Sequence, residues 1–171
     1  ATTAVAVLVL IAAGGASLHV FAASQMASIT ALQQSRADAA ASSIQHFIDD
    51  IEAQLRRLID PSWSSSGDDD RRVDATRALR ALTAAATIRL LDPQGLEQLR
   101  VSRLGPDVAR TGVDLGKSEA YLVARQRGRH IGPIYFQEGS EPYVTIHVAG
   151  TSARQGSVVA DVNLKFMWDV I

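Results

Sequence analysis

The sequence predicts an α+β protein, in which an antiparallel five-stranded sheet packs on a long N-terminal helix that continues from a transmembrane helix. Three observations predict it. Residues Ala4–Ala23, AVAVLVLIAAGGASLHVFAA, contain no Asp, Glu, Lys or Arg, and their only polar side chains are Ser17 and His19. The next segment, Ser24–Asp60, contains neither Pro nor Gly. Beyond Thr87 the apolar residues change from a three-and-four spacing to a period of two, in short runs separated by turn residues.

The elements follow in order. As a helix, the 20 residues Ala4–Ala23 measure about 30 Å, the thickness of a bilayer hydrocarbon core. Residues 1–23 are therefore read as a membrane anchor with the lipid bilayer as partner. The alternative is a cleaved signal peptide, whose apolar region is usually about 7–15 residues long. Residues 24–60 form a stalk helix rich in Ala, Gln, Leu and Arg, with apolar residues at Ile44, Phe47, Ile48, Ile51, Leu55, Leu58 and Ile59 on one face. Its small residues near the membrane point to a parallel homodimer.

Pro61 stops that helix, and 61–73 is a linker rich in Ser, Gly and charge. Asp68, Asp69 and Asp70 lack the spaced ligand pattern and glycine of a calcium loop; carboxylates here suit the positive start of a following helix. That helix is expected from Asp74 to Ala86, the first element of a folded module spanning 74–171. Strands are expected at Ile88–Leu91 and Leu96–Leu104, joined by the turn Asp92-Pro93-Gln94-Gly95. An irregular stretch, Gly105–Lys117, leads to a helix over Ser118–Gln126 capped by Ser118. Three more strands follow at His130–Phe136, Tyr143–Ala149 and Ser157–Asn163, and another helix begins at Leu164.

This order is that of a PAS-like module. The segments Ile88-Arg89-Leu90-Leu91-Asp92, Leu99-Arg100-Val101-Ser102, Gly132-Pro133-Ile134-Tyr135-Phe136, Ser140-Glu141-Pro142-Tyr143-Val144-Thr145 and Ala160-Asp161-Val162-Asn163-Leu164 resemble the membrane-distal half of a double Cache sensor domain. The resemblance covers nearly the whole chain. It implies the extracytoplasmic sensing region of a bacterial inner-membrane receptor, first of all a sensor histidine kinase of a two-component system. A membrane adenylate or guanylate cyclase receptor is the alternative output, and a secreted or periplasmic binding protein is the reading if 1–22 are a signal peptide. The chain begins at Ala1 and ends within the apolar-periodic segment Asp169-Val170-Ile171, so it is expected to be a fragment.

Composition narrows the chemistry. A net charge of -1 gives no reason to expect nucleic acid, and the lack of Cys excludes thiolate metal sites and Cys nucleophiles. No phosphate loop, nucleophile elbow or zinc-protease motif occurs. The histidines His19, His46, His130 and His147 lie on different elements, so no catalytic residue, metal or cofactor is expected. The strand faces say more. Tyr143, Thr145 and His147 alternate with Val144, Ile146 and Val148, and Ser157, Asp161 and Asn163 oppose Val158, Ala160 and Val162. The apolar side is expected under the Ile44–Leu58 stripe. The polar side faces either water or a small-molecule pocket roofed by Ser118–Gln126 and Gly105–Lys117. The candidate pocket residues are Tyr121, Tyr135, Tyr143, His147 and Asp161, of which the resemblance singles out Tyr143 and Asp161. Amino-acid-binding Cache domains carry Arg-x-Trp-Tyr where this chain has Ser118-Glu119-Ala120-Tyr121; the missing arginine disfavours an amino-acid ligand.

Overall fold

A computed structural model of the 171-residue chain describes residues 33–59, 67–137 and 141–169. The expected anchor over 1–23, the first part of the stalk and most of the linker lie outside the described residues. Among the described residues no helix is long and apolar enough to cross a membrane. The chain divides into two units, Ala1–Ser43 and Ile44–Ile171. In the first, residues 33–43 are helical and largely exposed, and Gln34 donates to Asp38 one turn on at 3.1 Å. The second unit contains the sheet.

Helix α1 covers residues 33–56; the part from Ile44 onward belongs to the second unit. Helix α2 (Asp68–Ala81) precedes strands β1 (Ala85–Leu91), β2 (Glu97–Ser102) and β3 (Val108–Ala109). Helix α3 (Glu119–Arg127) is followed by β4 (Arg129–Gln137), β5 (Glu141–Ala149), β6 (Ser157–Asn163) and a 3-10 helix, Leu164–Asp169. The strands form one sheet in the order β3-β2-β1-β6-β5-β4, and the pairs with assigned register are all antiparallel.

The sheet has six strands where the sequence predicts five. The additional one is β3, two exposed residues inside the stretch read as irregular, too short to show any period. It pairs Leu99 with Ala109 and Arg100 with Val108. Helix α2 also departs from expectation. It starts at Asp68, so the three aspartates fill its first turn, as the macrodipole favours, and residues read as linker are helical. It ends at Ala81 rather than Ala86, although Ala84, Ala85 and Ala86 are good helix formers. Pairing with β6 overrides that propensity: Ala85, 1% exposed, lies opposite Val162.

One face of the sheet carries the core. Ile88 and Leu90 of β1, Leu99 and Val101 of β2, Val144, Ile146 and Val148 of β5, and Val158, Ala160 and Val162 of β6 are buried in one cluster. Ile48, Ile51 and Leu55 of α1 and Ala75 and Leu79 of α2 complete it, with Phe47, Leu58 and Ile59 packed at its margin. The expected cover of the apolar face is thus the observed one from Phe47 onward, helped by α2, whereas Ile44 is 37% exposed. Each buried Leu or Ile removed from water contributes about 1.5–3 kcal/mol. The opposite face carries most of the polar side chains, with Leu91 and Val159 among them.

Candidate binding cleft

Register determines which polar side chains meet. Thr87 of β1 pairs with Ser102 of β2 on one side and Asp161 of β6 on the other, and Asp161 pairs with Thr145 of β5. Ser102, Thr87, Asp161 and Thr145 therefore form a row across four strands. One step along, Arg89 lies opposite Arg100. With Tyr135 and Gln137 of β4 and Leu104, Gly105, Pro106 and Val108 at the rim, these side chains line a cleft of about 530 Å³. Its long wall is the sheet, and its short wall is the loop after β2.

The cleft's charges are held in pairs. Arg89 Nη2 donates to Asp161 Oδ1 at 3.1 Å and to Oδ2 at 3.3 Å, and Thr145 Oγ1 donates to the same Oδ1 at 2.8 Å. Both charged side chains are about four-fifths buried. Arg100 donates from Nε and Nη2 to the two carboxylate oxygens of Glu97, at 2.8 and 3.1 Å, and Glu97 is fully buried. Such two-point arginine–carboxylate bonds fix a guanidinium's orientation as well as its charge. The Tyr135 phenol is pushed above its ordinary pKa, first by burial and then by the Asp161 charge, so it remains a neutral hydroxyl at neutral pH. Among the described residues no group of three or more His, Asp or Glu is placed to hold a metal.

The other end of the polar face is closed. Helix α3 begins where Ser118 Oγ accepts from the Tyr121 N–H at 3.3 Å, the expected cap, and ends at Gly128, whose φ of 84° lies in the left-handed region that glycine adopts without strain. Between these ends Tyr121 and Ala124 face the sheet and are buried. The Tyr121 hydroxyl donates to Pro93 O at 2.8 Å, and its ring lies 5.8 Å from that of His147, tilted by 52°. His147 Nε2 is 2.9 Å from Ser157 Oγ, and both residues are almost fully buried. Burial, then the nearby charges of Arg89 and His130, lower the imidazole pKa to about 4. Leu91 and Val159 seal the cluster, with Leu115 packed against it.

The five residues chosen from sequence therefore separate. Tyr135 and Asp161 line the cleft. Tyr143 is 5% exposed, stacks on Tyr135 at 6.0 Å, and accepts from Asn163 Nδ2 at 3.2 Å; it does not line the cleft. Tyr121 and His147 meet beneath α3, outside the lining. Helix α3 thus contributes no lining side chain, contrary to the expectation that it roofs the pocket. Arg89, Arg100, Thr87 and Ser102 were missed. Their signal was the polar phase of β1 and β2, Thr87-x-Arg89 and Arg100-x-Ser102, alternating with buried Ile88, Leu90 and Val101.

No protein-family description matches the chain, and no curated relative does. Solved structures do share its fold. The ligand-binding domain of the Campylobacter jejuni chemoreceptor Tlp3, in complex with 4-methylisoleucine, superposes with a TM-score of 0.60 at 11% identity over 78% of this chain and 58% of that one. The ligand-binding domain of the Pseudomonas aeruginosa PAO1 amino acid chemoreceptor PctC, in complex with GABA, gives 0.57 at 13% identity, over 77% and 60%. The extracellular domain of vpHK1S-Z8, put forward as a histidine kinase, gives 0.51 at 19%, over 74% and 55%. The chain thus shares the fold of these domains. The chain spans little more than half the length of these structures.

Proposed function

We propose that the chain is the extracytoplasmic signal-sensing region of a bacterial inner-membrane receptor, and that the cleft binds its small-molecule signal. The observation that carries this reading is the cleft itself: half of the sheet's polar face is left open, lined by hydroxyls and fixed guanidiniums, in a fold shared with ligand-binding domains. In this reading residues 1–23 anchor the chain in the bilayer, α1 belongs to the stalk, 74–171 form the membrane-distal Cache half, and two copies associate in parallel. The output is a histidine kinase; a nucleotide cyclase is the alternative.

Transmission needs a two-state element that the ligand biases. Strand β4 is suited to be one. It lies at the sheet edge with Tyr135 and Gln137 on the cleft, and its first residue, Arg129, pairs with Asp49 and Glu52 of α1 at 3.0 and 2.5 Å. Arg56 of α1 also donates to Gly128 O, just before β4, at 3.5 Å. A displacement of β4 toward a ligand therefore pulls directly on the stalk.

Thermal-shift screening of the whole chain in detergent with small acids, amines, sugars and nucleotides tests the binding claim. Ligand-induced shifts should shrink in Tyr135→Ala and Thr145→Val and persist in Tyr143→Phe. Shifts indifferent to both cleft substitutions would sink the reading. Mass spectrometry of the mature N-terminus tests the anchor, which a start at Ala23 would exclude.

A further inference from the structure

We propose that the cleft selects a small oxyanion, a carboxylate above all, gripped by the outward nitrogens of Arg89 and Arg100. In this account Asp161 positions Arg89 and is not a contact for a cationic ligand. The inference rests on the cleft being the signal site and adds the chemistry of what enters it.

Donor and acceptor accounting leads there. Arg100 uses Nε and Nη2 on Glu97, and Arg89 uses only Nη2 on Asp161. The Nη1 groups of both arginines, which lie opposite each other on β1 and β2, donate to nothing among the described residues. Arg89 Nε is buried with no hydrogen-bond partner among the described residues, which is costly for a charged donor and marks a guanidinium not yet fully satisfied.

On the acceptor side the supply is short. Among the described residues Asp161 is the one carboxylate in the lining, and Arg89, Thr145 and Tyr135 already engage it. Glu97 is fully buried beneath Arg100. Glu97 and Asp161 balance the two guanidinium charges, so what the cleft offers a ligand is unused N–H donors without free acceptors to match them. An ammonium entering the cleft would find no free acceptor there and would compete with Arg89 for Asp161. A carboxylate would instead complete the two arginines, and the Glu97 and Asp161 bonds hold both guanidiniums in place before it arrives. A zwitterion gains at one end what it loses at the other.

Titration calorimetry of the whole chain in detergent decides this. The probes are acetate, malonate, succinate and inorganic phosphate, set against putrescine, glycine and glucose. At least one anion is expected to bind, with a carboxylate ahead of phosphate. Arg100→Lys keeps a charge opposite Glu97 but loses the planar fork, and should weaken that anion about tenfold. Asp161→Asn removes the competing carboxylate from Arg89 and should tighten the anion, an outcome that a ligand-contacting or merely structural Asp161 would not give. Unchanged or lost binding in Asp161→Asn with the fold intact, or unchanged affinity in Arg100→Lys, overturns the proposal. If Asp161→Asn does not fold, Arg100→Lys decides alone. A cationic, zwitterionic or neutral probe that binds in place of every anion, and is weakened by Thr145→Val, overturns the oxyanion assignment and leaves the sensing role standing. Binding by no probe overturns both.

Discussion

The two ends of the polar face are built from the same strands and the same kinds of residue, yet one is closed and the other open. Beneath α3, His147 and Ser157 satisfy each other and Tyr121 satisfies Pro93 O. In the cleft, Asp161 is satisfied by Arg89 and Thr145, while the arginines retain unused donors. What separates the ends is their cover. A helix brings a whole turn of side chains and excludes water, so polar groups there must pair internally. A loop such as 104–108 borders without filling, and the groups beside it are left for a ligand. A polar strand face thus divides into structural and binding halves according to what lies above it.

The strongest way to break this comparison is to open the closed half. Tyr121→Ala removes a ring that is 6% exposed, together with its bond to Pro93, and should cost about 3–5 kcal/mol in chemical denaturation. A loss below about 1 kcal/mol would mean that α3 covers nothing of consequence.

Next in size is a pH effect. The His147 pKa falls from 6.5 to about 4 on folding, so the unfolded chain binds its proton first as the pH drops. Stability is therefore full above pH about 6.5 and declines toward pH 4, by about 3 kcal/mol in all. Tyr121 of α3, Arg89 of β1, His130 of β4 and Ser157 of β6 are the groups that face the ring. Glu52, Glu141 and Asp49 also have lowered pKa values, from 4.5, 4.5 and 3.8. Their loss falls mainly below pH 4.5, so the window from 6.5 to 4.5 belongs to His147. Melting curves of His147→Gln should be flat across it; an unchanged slope would assign the effect elsewhere.

Much of this arrangement was legible in the sequence, and the remainder was hidden for physical reasons. Alternation in Tyr143–Ala149 and Ser157–Asn163 placed the two faces correctly, and the stripe from Ile44 to Leu58 named the cover. Alternation cannot say what stands above a polar face, so His147 and Asp161 read alike although one is sealed and the other lines a cleft. Arg89 and Arg100 were overlooked because an arginine on a strand's polar phase is ordinarily solvated; only the register that sets them opposite each other reveals a pair. The early end of α2 escaped for a similar reason, since an alanine run carries helix propensity and only β6 makes it a strand.

Ser157→Ala probes the closed half more gently. It removes the partner of a buried imidazole nitrogen and should cost about 1–2 kcal/mol, with ligand affinity in the cleft unaltered. A change in affinity comparable to that of a cleft substitution would mean that the halves are coupled.

The smallest effect gives the sharpest contrast, because one chemical change can be made in both halves. Tyr121→Phe deletes a hydroxyl bonded to a backbone carbonyl at 2.8 Å in a residue that is 6% exposed. The abandoned Pro93 carbonyl then has little access to water, and a loss of about 1–2 kcal/mol is expected. Tyr135→Phe deletes a hydroxyl in a residue that is 37% exposed, at the edge of the cleft. Water replaces the lost contacts there, so stability should change by no more than about 0.5 kcal/mol. Binding should respond in the opposite order, with affinity falling in Tyr135→Phe and holding in Tyr121→Phe. Equal stability losses at the two positions would show that the cleft is as dry as the space beneath α3, and the division of the face into a structural and a binding half would fail.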